Sequence, residues 1–157
     1  MRQLNRFGVK RNKGKRLIRA VIDTNILISG LFTATGTIAD LMELWIKGKF
    51  ELVTSHKILD ELYRVLHKRT IQKHFNPSED EIEEYVEVIK EKAIITPDLY
   101  QTGRIKKDPT DNKLLACAME AKADFIVSGD KHLKEIKQFH EIRIVDAKTF
   151  VEIVTKA

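Results

Sequence analysis

Of four carboxylates, Asp23, Glu61, Asp111 and Asp130, three stand where a folding chain would be expected to bury apolar side chains, and Glu61 stands at the edge of such a stripe. Asp23 ends the apolar run Leu17 to Ile22, and Asp130 follows a second run, Asp124 to Ser128, by two residues. Asp111 precedes Leu114, Leu115 and Ala118 by three, four and seven residues, a spacing that puts it on their helical face. Glu61 lies beside Leu62 and one turn before Val65, at the edge of an apolar stripe. A carboxylate that faces a core is costly unless it is paired or bound to a cation. Several such groups converging without a cation repel, and some stay protonated. A hard divalent ion removes the conflict, and an all-oxygen ligand set suits Mg²⁺ or Mn²⁺. Two such ions can activate water and stabilise the leaving oxygen of a phosphodiester.

Each acid also has a purely structural alternative. Asp23 and Asp111 could cap the helices that follow them. Asp130 could be a turn residue after Gly129, and Glu61 a solvated helix charge. Taken singly, these readings lead. Taken together the balance reverses, because three caps seldom all point at one end of one sheet. The chain offers no rival machinery: no Gly-rich phosphate loop, no Cys/His zinc spacing and no Ser nucleophile elbow. His56, His67, His74, His132 and His140 form no ligand pattern and read as surface or loop residues. Cys117, between Ala116 and Ala118, reads as a small packing residue.

The elements that must position the acids follow from the hydrophobic pattern. Leu17 to Asp23, Phe50 to Thr54, Ala93 to Thr96, Asp124 to Ser128 and Ile142 to Val145 have the branched, mostly apolar character of strands. Helical periodicity marks Thr37 to Lys49, the stretch from Ser55 to about Lys68 with Ser55 as its cap, and a helix opened by Ser78 and the acids 79–81. Further helices are predicted from Thr110 or Asp111 to Lys122, around His132 to Lys137, and from Ala147 to Thr155. Strands alternating with helices imply a parallel sheet covered on both faces. In such sheets the crevice beyond the strands' carboxyl ends is the usual ligand site.

With 157 residues the chain is sized for one domain, and the reading divides it into a tail, 1–16, and a folded unit, 17–157. No run approaches the roughly 20 apolar residues of a membrane span. The basic N-terminus lacks the apolar core of a secretory signal, and a lone cysteine fits a reducing cytoplasm. The net charge of +5 is unevenly placed. Arg2, Arg6, Lys10, Arg11, Lys13, Lys15 and Arg16 carry seven positive charges with no acid among them, so residues 17–157 hold 21 Lys and Arg against 23 acids, a net −2. A flexible polybasic arm of this kind commonly meets nucleic acid. A leader with no specific partner, or a start codon placed too far upstream, is the alternative.

Four blocks in order carry a family resemblance: Val21-Ile22-Asp23-Thr24-Asn25, Ser55 to Leu66 around Glu61, Asp108-Pro109-Thr110-Asp111-Asn112-Lys113-Leu114-Leu115-Ala116, and Val127-Ser128-Gly129-Asp130-Lys131-His132-Leu133. Over about residues 17–150 the chain resembles the PIN-domain family. The resemblance implies a three-layer α/β/α sandwich with a central parallel sheet of four to five strands. It also implies an acidic pocket for Mg²⁺ or Mn²⁺ and cleavage of single-stranded RNA. The family's four acids fall on Asp23, Glu61, Asp111 and Asp130, and its supporting polar positions on Asn25 and Ser128. Asp108 is a nearby extra acid whose role the pattern leaves open. Many small members are VapC-like toxins held by an antitoxin and form homodimers, which sets expectations for partners here. The basic arm is not part of the family pattern. Two other classes remain open: a non-catalytic nucleic-acid-binding module, and another Mg²⁺ phosphoryl-transfer enzyme. The first gains nothing from negative charge facing phosphate. The second needs an acid pair where this chain has Thr24 and Asn25 after Asp23.

Overall fold

In a computed structural model, the described residues are 2–4, 10–12, 16–100 and 109–157, with side chains from 16–100 and 112–157. Two short strands open the chain, β1 (Arg2–Leu4) and β2 (Lys10–Asn12), and they pair antiparallel with each other. The sequence predicts no regular structure there. The main sheet begins with β3 (Arg19–Ile22), followed by α1 (Thr24–Phe32), α2 (Thr37–Ile46) and β4 (Glu51–Ser55). Next come α3 (His56–Leu66), α4 (Arg69–His74), α5 (Glu79–Lys92) and β5 (Ile94–Thr96). The chain then runs through α6 (Pro109–Ala121), β6 (Phe125–Val127), α7 (Lys131–Ile136), β7 (Gln138–Phe139), β8 (Ile142–Val145) and α8 (Ala147–Lys156).

The sheet has six strands in the order β5-β4-β3-β6-β8-β7, where four to five were expected. Five are parallel. The sixth, β7, is a two-residue antiparallel edge on β8, too short to show a period in sequence. Every residue of β3, β4 and β6 is buried. Because successive side chains point to opposite faces, unbroken burial means that helices cover both. The result is the three-layer α/β/α arrangement.

Boundaries follow local chemistry. Ser55 caps α3 by accepting from Ile58 N at 3.2 Å. Ser78 and Glu81 form a reciprocal capping box at the start of α5. Asp146 caps α8 through Thr149 N at 2.8 Å, a cap the hydrophobic pattern did not mark. Phe150 of α8 meets Phe50 and Phe125 edge-on, with centroids 4.9 and 5.6 Å away, sealing one face of the sheet.

Two features hold the elements that carry the site. Tyr85 of α5 donates its hydroxyl to Leu27 O at 2.5 Å, tying α5 to α1. Gly30 permits that approach, since a Cβ there would meet Tyr85 Oη at 2.9 Å and Met42 Sδ at 3.0 Å. At the amino ends of the strands, buried Arg19 pairs with Glu51 of β4 (Nε to Oε1, 3.1 Å) and donates from Nη1 to Ala121 O at the end of α6 (2.8 Å). That one guanidinium ties β3 to β4 and α6. No single helix among the described residues is long and apolar enough to cross a membrane.

Candidate active site

The chain moves outward from β3 to β4 and β5, then returns to β6 on the other side of β3. β3 and β6 therefore flank the switch point, where a parallel sheet opens a crevice at its carboxyl ends. Asp23 follows β3 directly, and Ser128 follows β6 directly. Ile22 and Val127 are register partners, and Asp23 N donates to Val127 O at 2.9 Å. This pairing brings Ser128 onto Asp23, with Oγ donating to Asp23 Oδ2 at 2.5 Å. The same Ser128 oxygen accepts from Asp130 N at 3.0 Å. Ser128, fully buried, thus joins the first and fourth acids.

Both acids are also helix caps. Asp23 Oδ1 accepts from Asn25 N at 3.4 Å, at the start of α1. Asp130 Oδ1 accepts from Leu133 N at 3.1 Å, at the start of α7. Capping was the structural alternative for Asp23 and it holds, whereas Asp130, expected as a turn residue, caps a helix instead; neither role excludes a ligand role. A carboxylate has two oxygens and about four acceptor positions, and capping uses one. Asn25 contributes its backbone N–H, while the residue itself is exposed.

Glu61 lies in the second turn of α3, which leaves the sheet at the same carboxyl end after β4. It is largely buried, at 11% exposure, and its Oε2 accepts from Lys113 Nζ of α6 at 2.8 Å. Asp23 feels the charges of the other two acids. Burial raises the Asp23 carboxyl above the ordinary aspartate range. Ser128 and Asn25 N pull it back, and the charges of Asp130 and Glu61 push it further up. Asp111 lies near the start of α6, but its side chain is outside the described residues, as is Asp108 altogether. Among the described residues, no three carboxylate, His or Cys groups sit close enough to enclose an ion without rearrangement.

Three observations fit a divalent cation nonetheless: oxygen donors only, mutual repulsion at Asp23, and a lysine ammonium standing on Glu61 as a cation in place. Asn112, next to Asp111, has a buried Oδ1 with no hydrogen-bond partner among the described residues.

A family profile for the PIN domain matches residues 19–132. The chain belongs to the PIN-domain family. A 26% identical relative is an uncharacterized protein of Methanocaldococcus jannaschii, aligned over 143 residues, 86% of this chain and 90% of the relative. Among solved structures, this PIN domain is similar to a chain in VapBC2 from Rickettsia felis bound to a DNA fragment from their promoter. The TM-score is 0.54, the identity 12%, and coverage is 81% of this chain and 97% of that one. At that identity the likeness concerns the fold alone.

All five histidines are exposed. Cys117 is buried, with its thiol pushed up to about 12 by burial, so it stays protonated and packs beside Thr96. Of the basic arm, Arg6, Lys13 and Lys15 fall outside the described residues, as do the side chains of Arg2, Lys10 and Arg11. Arg16 is described, and both its terminal nitrogens pair with the Asp124 carboxylate at the amino end of β6. The arm is therefore rooted at the end of the sheet opposite the acids, about 13 Å away along the four residues of β3. The sequence reading missed Lys113. Its one signal, a lysine inside the block that carries Asp111, is weak because lysine is common on helix surfaces.

Proposed function

We propose that this chain is a divalent-metal-dependent endoribonuclease that cleaves single-stranded RNA and acts as the toxin of a toxin–antitoxin pair. The observation that carries the reading is the junction of Asp23, Ser128 and Asp130 at the switch point, with Glu61 near enough to add to their repulsion. Asp23, Glu61, Asp111 and Asp130 would hold Mg²⁺ or Mn²⁺. When bound, such ions supply an acidified water and a counter-charge for the leaving oxygen.

The chain's own contribution is preorganisation. Ser128 fixes Asp23 Oδ2, and the caps fix one oxygen each of Asp23 and Asp130. Both carboxylates are therefore held in orientation before substrate arrives. Asn25 and Ser128 are the supporting polar residues. Membership of the PIN-domain family supports the reaction class. The VapBC2 pairing of the Rickettsia felis structure supports a cognate antitoxin as partner, and a homodimer is the assembly we propose for the free chain.

The test uses an end-labelled, unstructured RNA incubated with the purified protein in Mg²⁺, in Mn²⁺ and in EDTA. Cleavage is expected with either metal and none in EDTA. Cleavage undiminished by EDTA would remove the metal from the reaction. RNA binding with no cleavage in either metal would favour the binding-module reading.

The polybasic arm is proposed to hold RNA electrostatically. Each phosphate neutralised on a single strand adds a slope of about −0.7 to log affinity against log salt. Removing residues 1–15 deletes six basic groups and keeps the Arg16–Asp124 pair. The salt slope of RNA binding without added metal should flatten by up to about 4, with the largest loss of affinity at low salt. Metal-dependent cleavage should persist, since the acids lie at the opposite end of the sheet. Equal slopes for the two proteins would show that the arm does not touch RNA.

A further inference from the structure

The Glu61–Lys113 pair differs from the other ion pairs among the described residues. Arg19–Glu51 and Arg16–Asp124 lie at the amino ends of the strands, while Lys47–Glu43 and His67–Glu79 are solvent-exposed pairs. Lys113 alone, among the described residues, brings a cation within pairing distance of any of Asp23, Glu61 and Asp130. It does so from the helix that also carries Asp111. Glu61 is 11% exposed and Lys113 28%, so water screens the contact only in part.

We infer that Lys113 is a built-in counter-cation that competes with the divalent ion for Glu61. The inference rests on reading the acids as a metal site, and concerns how that site is regulated. A divalent ion held by Glu61 would repel an ammonium paired with the same carboxylate. Lys113 would then give up Glu61 to the ion. Its flexible four-carbon stem and partial exposure allow that movement. The affinity for the ion is lowered by the cost of displacing the lysine from Glu61. Charge, rather than the presence of a long side chain, is the cause.

The experiment is calorimetric titration of Mn²⁺ into the full-length protein without RNA, so cleavage does not enter. Lys113→Met keeps the apolar stem and removes the charge, and Lys113→Gln is a second neutral variant should the first fold poorly. Lys113→Arg keeps the charge. The neutral variants should bind Mn²⁺ roughly five- to tenfold more tightly than wild type, the range expected for losing a partly screened charged hydrogen bond. Lys113→Arg should lie within about twofold of wild type. In EDTA the neutral variants should melt below wild type, because the acids then lack any counter-charge. Equal or weaker Mn²⁺ binding by the neutral variants, with wild type binding normally, overturns the counter-cation and leaves the metal site standing. Tightening by Lys113→Arg as large as by the neutral variants also overturns it. No Mn²⁺ binding by wild type would instead overturn the metal site, and the inference with it.

Discussion

Replacing Asp23 with Asn is expected to lower metal-dependent RNA cleavage roughly 10²–10³-fold, the usual scale for losing one preorganised electrostatic group. The amide keeps the shape of the side chain and can still accept from Asn25 N, so the cap on α1 survives. What disappears is one negative charge at the junction with Ser128 and Asp130. The same variant has an opposite effect on stability. Burial first, then Asp130 and Glu61, raise the folded-state carboxyl above its unfolded value. A raised acid contributes stability that is fully present below the unfolded value and is lost as pH rises through the folded one. At neutral pH in EDTA the wild type therefore bears a penalty from which the amide variant is free.

The variant should accordingly melt higher than wild type in EDTA at pH 7 to 8, with the gap closing as the pH is taken toward the ordinary aspartate range. In Mg²⁺ the gap should narrow or reverse, because wild type alone gains the full binding free energy. Rates, and melting curves at several pH values with and without metal, provide the check. A variant that cleaves like wild type would remove Asp23 from the reaction. A variant that melts lower in EDTA at every pH would make Asp23 chiefly a structural group.

The second large effect lies at the opposite end of the sheet. Arg19→Leu should destabilise the protein by about 3–5 kcal/mol, because Glu51, 8% exposed, would keep a buried charge without its main partner. For a domain near this size the melting temperature should fall by roughly 6–20 °C. Arg16, which also feels the Glu51 charge, favours the lower part of that range. The double variant Arg19→Leu with Glu51→Leu should recover much of the loss, since it removes both charges together. Chemical denaturation of the two singles and the double completes the cycle. A single variant within about 1 kcal/mol of wild type would show that water reaches Glu51. Well below the melting temperature the cleavage rate should hardly change, because the pair sits away from the acids.

Much of this was legible in the chain because local chemistry is short-ranged. Ser55 and Ser78 announce α3 and α5 through contacts three residues away, and branched apolar runs announce β3, β6 and β8. The short pieces were not legible. The six residues of α4 and the two of β7 are set by what they pack against, below the length at which a period can be read. In the arm, β1 and β2 pair across a polar stretch whose composition gives no strand signal.

The acids divide in the same way. Sequence alone placed Asp23 and Asp130 at the ends of apolar strands, and order and spacing gave the family. The sequence could not say that the two strands are neighbours. That follows from β6 returning beside β3, a long-range choice that lets one hydroxyl, Ser128, bind one acid and support the other. Nor could it say that Glu61 is held by Lys113, because residues on two helices, 52 positions apart, meet only when both helices pack at the same end of the sheet. Capping and periodicity act over one turn, so the sequence determined them. The shared charge of the pocket acts through space, and only the tertiary structure decided it.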